Sequence, residues 1–309
     1  MTLTELRYIV AVARERHFGR AAAACFVAQP TLSVAIKKLE EELGVALFER
    51  SANEVTLTPV GEQIVEQAQR VLEQAQAIKE IAKAGKDPLS GPLKLGLIYT
   101  IAPYLLPQLV KFLHKRAPQM PLIIQENYTH VLREWLKQGD IDAAILALPF
   151  EEPGFAIQPL YDEPFVVAVP REHPWASRKS IAADALKGEA MVLLGAGHCF
   201  RDHVLGACPE LSRFPTGADG MQKSFEGSSL ETIRQMVASG IGVTVLPSSS
   251  VPAKPSRDSL LAYVPFSRPV PERRVVLVYR KTFPRLHAVN ALRSAVFACS
   301  LNGVTTLVS

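Results

Sequence analysis

The chain contains four cysteines, and one stands among residues able to activate it. The run Gly195-Ala196-Gly197-His198-Cys199-Phe200-Arg201-Asp202-His203 sets a thiol behind a glycine-rich turn, at a predicted helix start, beside two histidines and an arginine. Cations and a helix N-terminus both stabilise a thiolate, the form of sulfur that attacks and is oxidised. Cys208 follows nine positions later, before Pro209. Three chemistries compete here. Zinc ligation by His198, Cys199, His203 and Cys208 is one, although adjacent His and Cys lack the paired spacing of zinc sites. Two unconnected surface thiols are the second, and a redox pair is the third. Cys25 and Cys299 sit among Ala, Phe and Val and read as inert core thiols.

Geometry constrains the redox pair. If residues 199–208 are helical, nine rises of ~1.5 Å separate their alpha carbons by about 13 Å. A disulfide needs roughly 7 Å or less, so bond formation must unwind the segment. Thiolate occupancy adds little more. A thiol near pKa 8.5 is already a few per cent ionised at neutral pH, so lowering that pKa gains at most about thirtyfold. Fast, selective attack on a peroxide also requires donors that fix its two oxygens and stabilise the leaving hydroxide. Thr100, just after a predicted strand, and Thr129, at a predicted helix start, occupy positions that line clefts in open α/β sheets. Helix capping is the competing role for Thr129.

A second stretch carries a different chemistry. In Ala28-Gln29-Pro30-Thr31-Leu32-Ser33-Val34-Ala35-Ile36-Lys37-Lys38-Leu39-Glu40 the apolar residues mark a core face, and Gln29, Thr31, Ser33 and Lys37 fall on the other side. Short hydrogen-bonding side chains at a helix N-terminus suit a DNA major groove, with Lys37 and Arg20 available for phosphate and Arg50 for the adjacent backbone or minor groove. A solvated polar face is the alternative. Residues 1–60 contain seven Lys/Arg and seven Asp/Glu, so the DNA reading rests on local pattern and not on bulk charge.

The elements that must position these groups follow from periodicity. Leu6, Ile9, Val10 and Ala13 mark one helix, which Phe18-Gly19 is expected to break. A second helix follows from Arg20 to Cys25, and a third from Pro30 to a stop at Gly44. Leu47-Phe48 and Val55-Thr56-Leu57 read as two short strands, completing a winged helix-turn-helix over residues 1–58. In residues 59–88, Ile64, Val71 and Ile78 alternate with Ala68, Ala75 and Ala82 in a coiled-coil pattern, with an amphipathic helix packed on its own domain as the alternative. Gly85, Pro88, Gly91 and Pro92 end that helix in a hinge.

From Leu93 the pattern becomes βαβαβ, which predicts a parallel sheet flanked by helices. A second unit begins near Phe165 and includes a helix from Leu230 to Ala238 and a strand at Val243–Leu246. The late strand Val275–Val278 and helix Leu286–Phe297 have no place there, so the chain is expected to return to the first unit. Residues 89–309 then form two lobes, one of about 89–162 plus 268–300 and the other of about 163–267, with a cleft between.

Composition excludes several classes. Hydrophobic residues make up 48% and charged residues 21% of the 309, ordinary values for a globular chain. No apolar run reaches the ~18 residues of a membrane span. The start lacks a basic patch leading into an apolar run, so a cytoplasmic protein is expected and a secreted solute-binding protein is disfavoured. Four cysteines are too few for a disulfide scaffold.

These motifs resemble the LysR-type transcriptional regulators. The resemblance rests on the helix-turn-helix, on Gln29-Pro30-Thr31-Leu32-Ser33, on Lys37-Lys38-Leu39-Glu40-Glu41-Glu42-Leu43-Gly44 and on Leu47-Phe48-Glu49-Arg50, and it covers essentially the whole chain. Gly197-His198-Cys199-Phe200-Arg201-Asp202 with Cys208-Pro209 is similar to the peroxide-sensing members. The resemblance implies an α+β chain with a winged helix-turn-helix, a linker helix and a two-lobed α/β effector domain of periplasmic-binding-protein type. It implies that Cys199 is peroxidatic and Cys208 resolving, with Thr100, Thr129, His198 and Arg201 around the peroxide. It further implies Arg20, Gln29, Pro30, Thr31, Ser33, Lys37 and Arg50 at promoter DNA. A homodimer to homotetramer is implied, activating antioxidant genes through RNA polymerase and reset by thioredoxin or glutaredoxin, with no cofactor, metal or catalytic turnover. The alternatives are a metabolite-responsive regulator of the same family and, from another class, a thiol peroxidase. Two departures stand out: Ala28 replaces a frequent capping Ser, and Pro215-Thr216-Gly217-Ala218-Asp219 lacks a histidine found there in several members.

Overall fold

The computed structural model describes residues 1–50, 55–84, 89–208, 224–253 and 259–307, with backbone alone at 50, 77, 79–84 and 224. The chain divides into two units. One comprises Met1–Pro88 with Lys281–Leu286, the other Leu89–Arg280 with His287–Ser309.

The first unit is a winged helix-turn-helix: α1 (Leu3–Glu15), α2 (Phe18–Ala24), α3 (Gln29–Leu43), an antiparallel pair β1 (Phe48–Arg50) and β2 (Val55–Leu57), then α4 (Pro59–Ala84). Reciprocal hydrogen bonds between Thr2 and Glu5 cap α1. The break after α1 corrects the expectation at Phe18-Gly19. It falls at Arg16, in a left-handed conformation (φ 47°), while Phe18 is buried and opens α2. His17 caps α2 by accepting the Gly19 and Arg20 N–H groups on Nδ1, a local bond invisible to hydrophobic periodicity. Leu6, Ile9, Val12, Ala21, Leu32, Ile36, Leu39 and Leu47 fill the core. Glu40 on α3 accepts the Leu47 and Phe48 N–H groups and so ties the wing to the third helix.

The proposed seam on α4 divides. Ala68 is buried, and Ile64 and Val71 pack against the core of their own unit, as the amphipathic alternative expects. Ile78, one heptad on, is 70% exposed. The side chain of Ala82 and residues Gly85 and Pro88 lie outside the described residues.

In the second unit β3 (Leu93–Leu97) lies between β4 (Leu122–Glu126) and β5 (Ala143–Ala147), parallel to both, with α5 (Ala102–Arg116) and α6 (Thr129–Gln138) as crossovers. The sheet is not purely parallel, which corrects the expectation. β6 (Phe155–Pro170) is one long strand. Its first part pairs antiparallel with β11 (Glu272–Arg280), and its second part with β9 (Thr244–Pro247) and β10 (Leu261–Pro265). β11 arrives from far along the chain with no crossover helix and runs antiparallel to β5 as well. Between β6 and β9 in the chain come β7 (Met191–Leu194), α7 (Cys199–Ala207), β8 (Ser224–Gly227) and α8 (Leu230–Ala238), β7 and β8 being parallel. α9 (Leu286–Phe297) and β12 (Thr305–Thr306) close the chain. Among the described residues no helix is long and apolar enough to cross a membrane.

Candidate functional site

The turns after β3 and β4 and the turn before α7 meet around a small cavity. Ile98, Tyr99, Thr100, Asn127, Tyr128, Thr129, Gly197, His198 and Cys199 line it, and its volume is about 10 Å³. That is room for about one water-sized molecule. Cys199 is the first residue of α7, whose preceding residue His198 provides no side-chain cap. The thiol therefore sits at the positive end of the α7 dipole.

Two hydroxyls share this space. Thr129 is the first residue of α6 and does not cap it; its Oγ1 is buried with no hydrogen-bond partner. Thr100 is buried, and its Oγ1 accepts from Arg273 Nη1 at 2.7 Å while its carbonyl accepts from Nη2 at 3.0 Å. A hydroxyl that accepts from a guanidinium turns its own hydrogen elsewhere. Arg273 therefore makes Thr100 a donor.

Arg273 is the main residue that sequence reasoning missed. Its side chain and that of Glu163 are both 0% exposed and paired at 2.7 Å. Glu163 also accepts from the Ser249 N–H, and the guanidinium lies 5.0 Å from the ring centroid of Phe200, the residue after Cys199. The available signal was a charge in register with the inward-facing Val275 and Leu277 of the same strand, since buried charges are almost always paired.

Burial changes the expected electrostatics. His198 and His203 both have pKa values below the ordinary 6.5, burial being the main cause and their backbone hydrogen bonds, with Ser228 and Leu148, opposing it. Both are neutral at pH 7, so neither provides the cation expected beside Cys199. Arg201 lies outside the cavity lining. Its Nη1 donates to the Leu194 carbonyl at 2.7 Å and to Glu226 at 2.6 Å, holding α7 against β7 and β8. The four supposed zinc ligands do not converge. His203 meets the Leu148 carbonyl and Cys208 the Ala183 carbonyl, and no group of three His, Cys, Asp or Glu residues gathers as a metal site among the described residues.

All four thiols are free, Cys199 partly buried and Cys208 6% exposed at the end of α7. Burial, then the Asp184 carboxylate, raises the Cys208 pKa. Pro209 and residues 215–219 lie outside the described residues.

In the first unit Gln29, Pro30, Thr31 and Lys37 are exposed within the first nine residues of α3, and Ser33 is half-buried. Ala28 makes no capping bond. Lys37 has only an exposed contact with Glu41 at 3.9 Å, whereas Arg20 donates to the Glu15 carbonyl at 2.6 Å. The Arg50 side chain lies outside the described residues.

Comparison with known proteins agrees with both halves of this description. Residues 3–62 match the bacterial regulatory helix-turn-helix protein, lysR family, and residues 86–298 the LysR substrate binding domain. The chain is 43% identical over 298 residues to the DNA-binding transcriptional dual regulator OxyR of Escherichia coli K12, covering 96% of this chain and 95% of that one. It superposes on full-length Pseudomonas aeruginosa OxyR carrying C199D with a TM-score of 0.81 and 53% identity, covering 100% and 98%. A mutant Corynebacterium glutamicum OxyR in its H2O2-bound form matches with a TM-score of 0.62 and 36% identity, covering 96% and 91%. Helix-turn-helix, linker helix and effector domain thus align over nearly the full length, and the chain belongs to the LysR family of bacterial transcription regulators, among the OxyR-type hydrogen peroxide-inducible gene activators.

Proposed function

We propose that the protein senses hydrogen peroxide through Cys199 and transmits the oxidation to promoter DNA. The observation that carries this reading is a thiol at a helix start, in a cavity for about one small molecule, facing a donor hydroxyl on Thr100 and an unpartnered hydroxyl on Thr129.

The Cys199 thiolate attacks one peroxide oxygen, and its electron pair forms the S–O bond as the O–O bond breaks. Sulfur is oxidised by two electrons to a sulfenic acid, and the leaving hydroxide takes a proton and departs as water. The two threonine hydroxyls hold the oxygens, and neutral His198 accepts or passes a proton. Cys208 then attacks the sulfenic sulfur, forming the disulfide and releasing the oxygen as a second water. Both thiols cannot meet while α7 persists, since its nine residues separate them by about 13 Å. Disulfide formation therefore unwinds α7 and withdraws Phe200 and Val204 from the core, at about 1.5–3 kcal/mol for each side chain exposed. That refolding is the switch. A thioredoxin- or glutaredoxin-type dithiol reverses it by disulfide exchange.

Residues 1–58 bind DNA through Gln29, Pro30, Thr31 and Ser33 toward the major groove, with Arg20, Lys37 and Arg50 at the backbone. Residues 59–88 link and dimerise, and residues 89–309 sense in two lobes. The assembly is a cytoplasmic homotetramer that acts on RNA polymerase. The test is peptide mass spectrometry after about one equivalent of peroxide, with remaining thiols alkylated. A Cys199–Cys208 link with Cys25 and Cys299 still alkylated supports the reading. Indiscriminate oxidation of all four thiols refutes it and leaves a small-molecule effector as the reading of the cavity.

A further inference from the structure

We propose that Tyr99 and Tyr128 form an aromatic size filter over Cys199, admitting hydrogen peroxide and turning away alkyl hydroperoxides. The inference rests on the reading of Cys199 as a peroxide-reactive thiol and adds the residues that choose among peroxides.

Both tyrosines line the cavity. Their rings meet edge to face, with centroids 5.4 Å apart and planes at 76°. Each also contacts His198, Tyr128 at 4.9 Å and Tyr99 at 5.9 Å between centroids. His130 stacks on Tyr128 at 5.8 Å with planes 9° apart. On its remaining side Tyr128 lies against Gly197, where an added Cβ would sit 3.5 Å from ring carbons. Gly197 has φ of 96°, a conformation that leaves this approach to glycine. Four rings contact one another this way, so each tyrosine is held by its ring neighbours as well as by its own rotamer.

The chemistry does not discriminate among peroxides. For any ROOH the Cys199 thiolate takes the terminal oxygen, the O–O bond breaks, and RO⁻ gains a proton and leaves as ROH. The donors at Thr100 and Thr129 serve the two oxygens whatever R is. Only the space left for R separates the substrates, and about 10 Å³ beside Cys199 is room for about one water-sized molecule. An alkyl group carried in with the terminal oxygen meets the Tyr99 and Tyr128 rings that line this space.

The test measures Cys199 oxidation in the reduced full-length protein by quenched alkylation and mass spectrometry, using hydrogen peroxide and tert-butyl hydroperoxide. The urea-unfolded chain provides the intrinsic ratio of the two rates. In the folded protein the alkyl peroxide is expected to fall behind by about 100-fold relative to that reference. Tyr128→Ala and Tyr99→Ala are each expected to raise the alkyl-to-hydrogen-peroxide ratio by about tenfold or more. Tyr128→Phe keeps the original ratio, because the ring and not its hydroxyl fills the space. Tyr99 is exposed, at 36%, so its replacement preserves the fold and provides the ratio even if Tyr128→Ala unfolds. A folded-protein ratio equal to the unfolded one overturns the filter while leaving peroxide sensing intact, as does a Tyr99→Ala ratio that does not move. Failure of hydrogen peroxide itself to oxidise Cys199 overturns the underlying reading and the filter with it.

Discussion

Replacing Arg273 with methionine removes the guanidinium that joins Glu163, Thr100 and Phe200 beneath the cavity. Methionine keeps much of the stem volume but leaves the Glu163 carboxylate without its partner in a position with 0% exposure. Truncating one member of a buried pair costs about 3–5 kcal/mol, because the other charge is left desolvated. At about 2–4 °C per kcal/mol for a domain of this size, thermal unfolding of the regulatory unit should begin on the order of 10 °C lower. The double variant Glu163→Leu/Arg273→Met removes both charges. It should recover most of that loss, short of about 1 kcal/mol for the Ser249 N–H that Glu163 now accepts. The two effects then separate. Stability returns in the double variant, whereas Cys199 oxidation stays slow, because Thr100 no longer has the donor that turns its hydrogen toward the cavity. Differential scanning fluorimetry and the peroxide rate constant, measured on both single variants and the double, complete the cycle. A loss below about 1 kcal/mol in Arg273→Met, or a double variant no more stable than the weaker single, would refute the account of a buried, mutually dependent pair.

Three further outcomes follow from the same geometry. His198 and His203 have folded-state pKa values below 6.5, so the unfolded chain binds protons more readily. The stability they support is therefore present above pH 6.5 and lost as pH falls through their lower folded values; melting temperature should drop between pH 7 and pH 5, and less steeply in His203→Gln. Ala28→Ser should provide the missing cap of α3 and stabilise the helix-turn-helix by about 1 kcal/mol, read as a higher unfolding midpoint of that unit. Glu226→Gln removes the Arg201 ion pair from α7 but leaves the bond to Leu194, and because Glu226 is half exposed the pair is worth about 1 kcal/mol at most. Disulfide closure after sulfenic acid formation should quicken by no more than about fivefold, followed by the time course of Cys199–Cys208 linkage.

Legibility in the sequence followed the range of the interaction. Helices α8 and α9, the stop of α3 at Gly44 and the start of α7 at Cys199 are local matters of 3.6-residue periodicity and capping, and short windows carry them. The exposure of Gln29, Thr31 and Lys37 away from the apolar residues of α3, although Ser33 is half-buried, follows from the same arithmetic, as does Thr129 at the head of α6. The sheet required more. β11 lies beside β5 and β6 because backbone groups more than a hundred residues apart pair in space, and no window of sequence records their partner or direction. The cavity is decided in the same way: it exists where the ends of β3 and β4 meet the turn before α7. Tyr99 and Tyr128 read as unremarkable aromatics until that meeting sets them over a thiol. The charge states also belong to the tertiary structure. Two histidines and an arginine near Cys199 suggest a cationic pocket on paper, but burial keeps both histidines neutral and Glu226 engages Arg201. The cation that does reach the cavity wall is Arg273, seventy-four positions along the chain from Cys199, because burying a guanidinium demands a carboxylate and acceptors that only the assembled sheet brings to it.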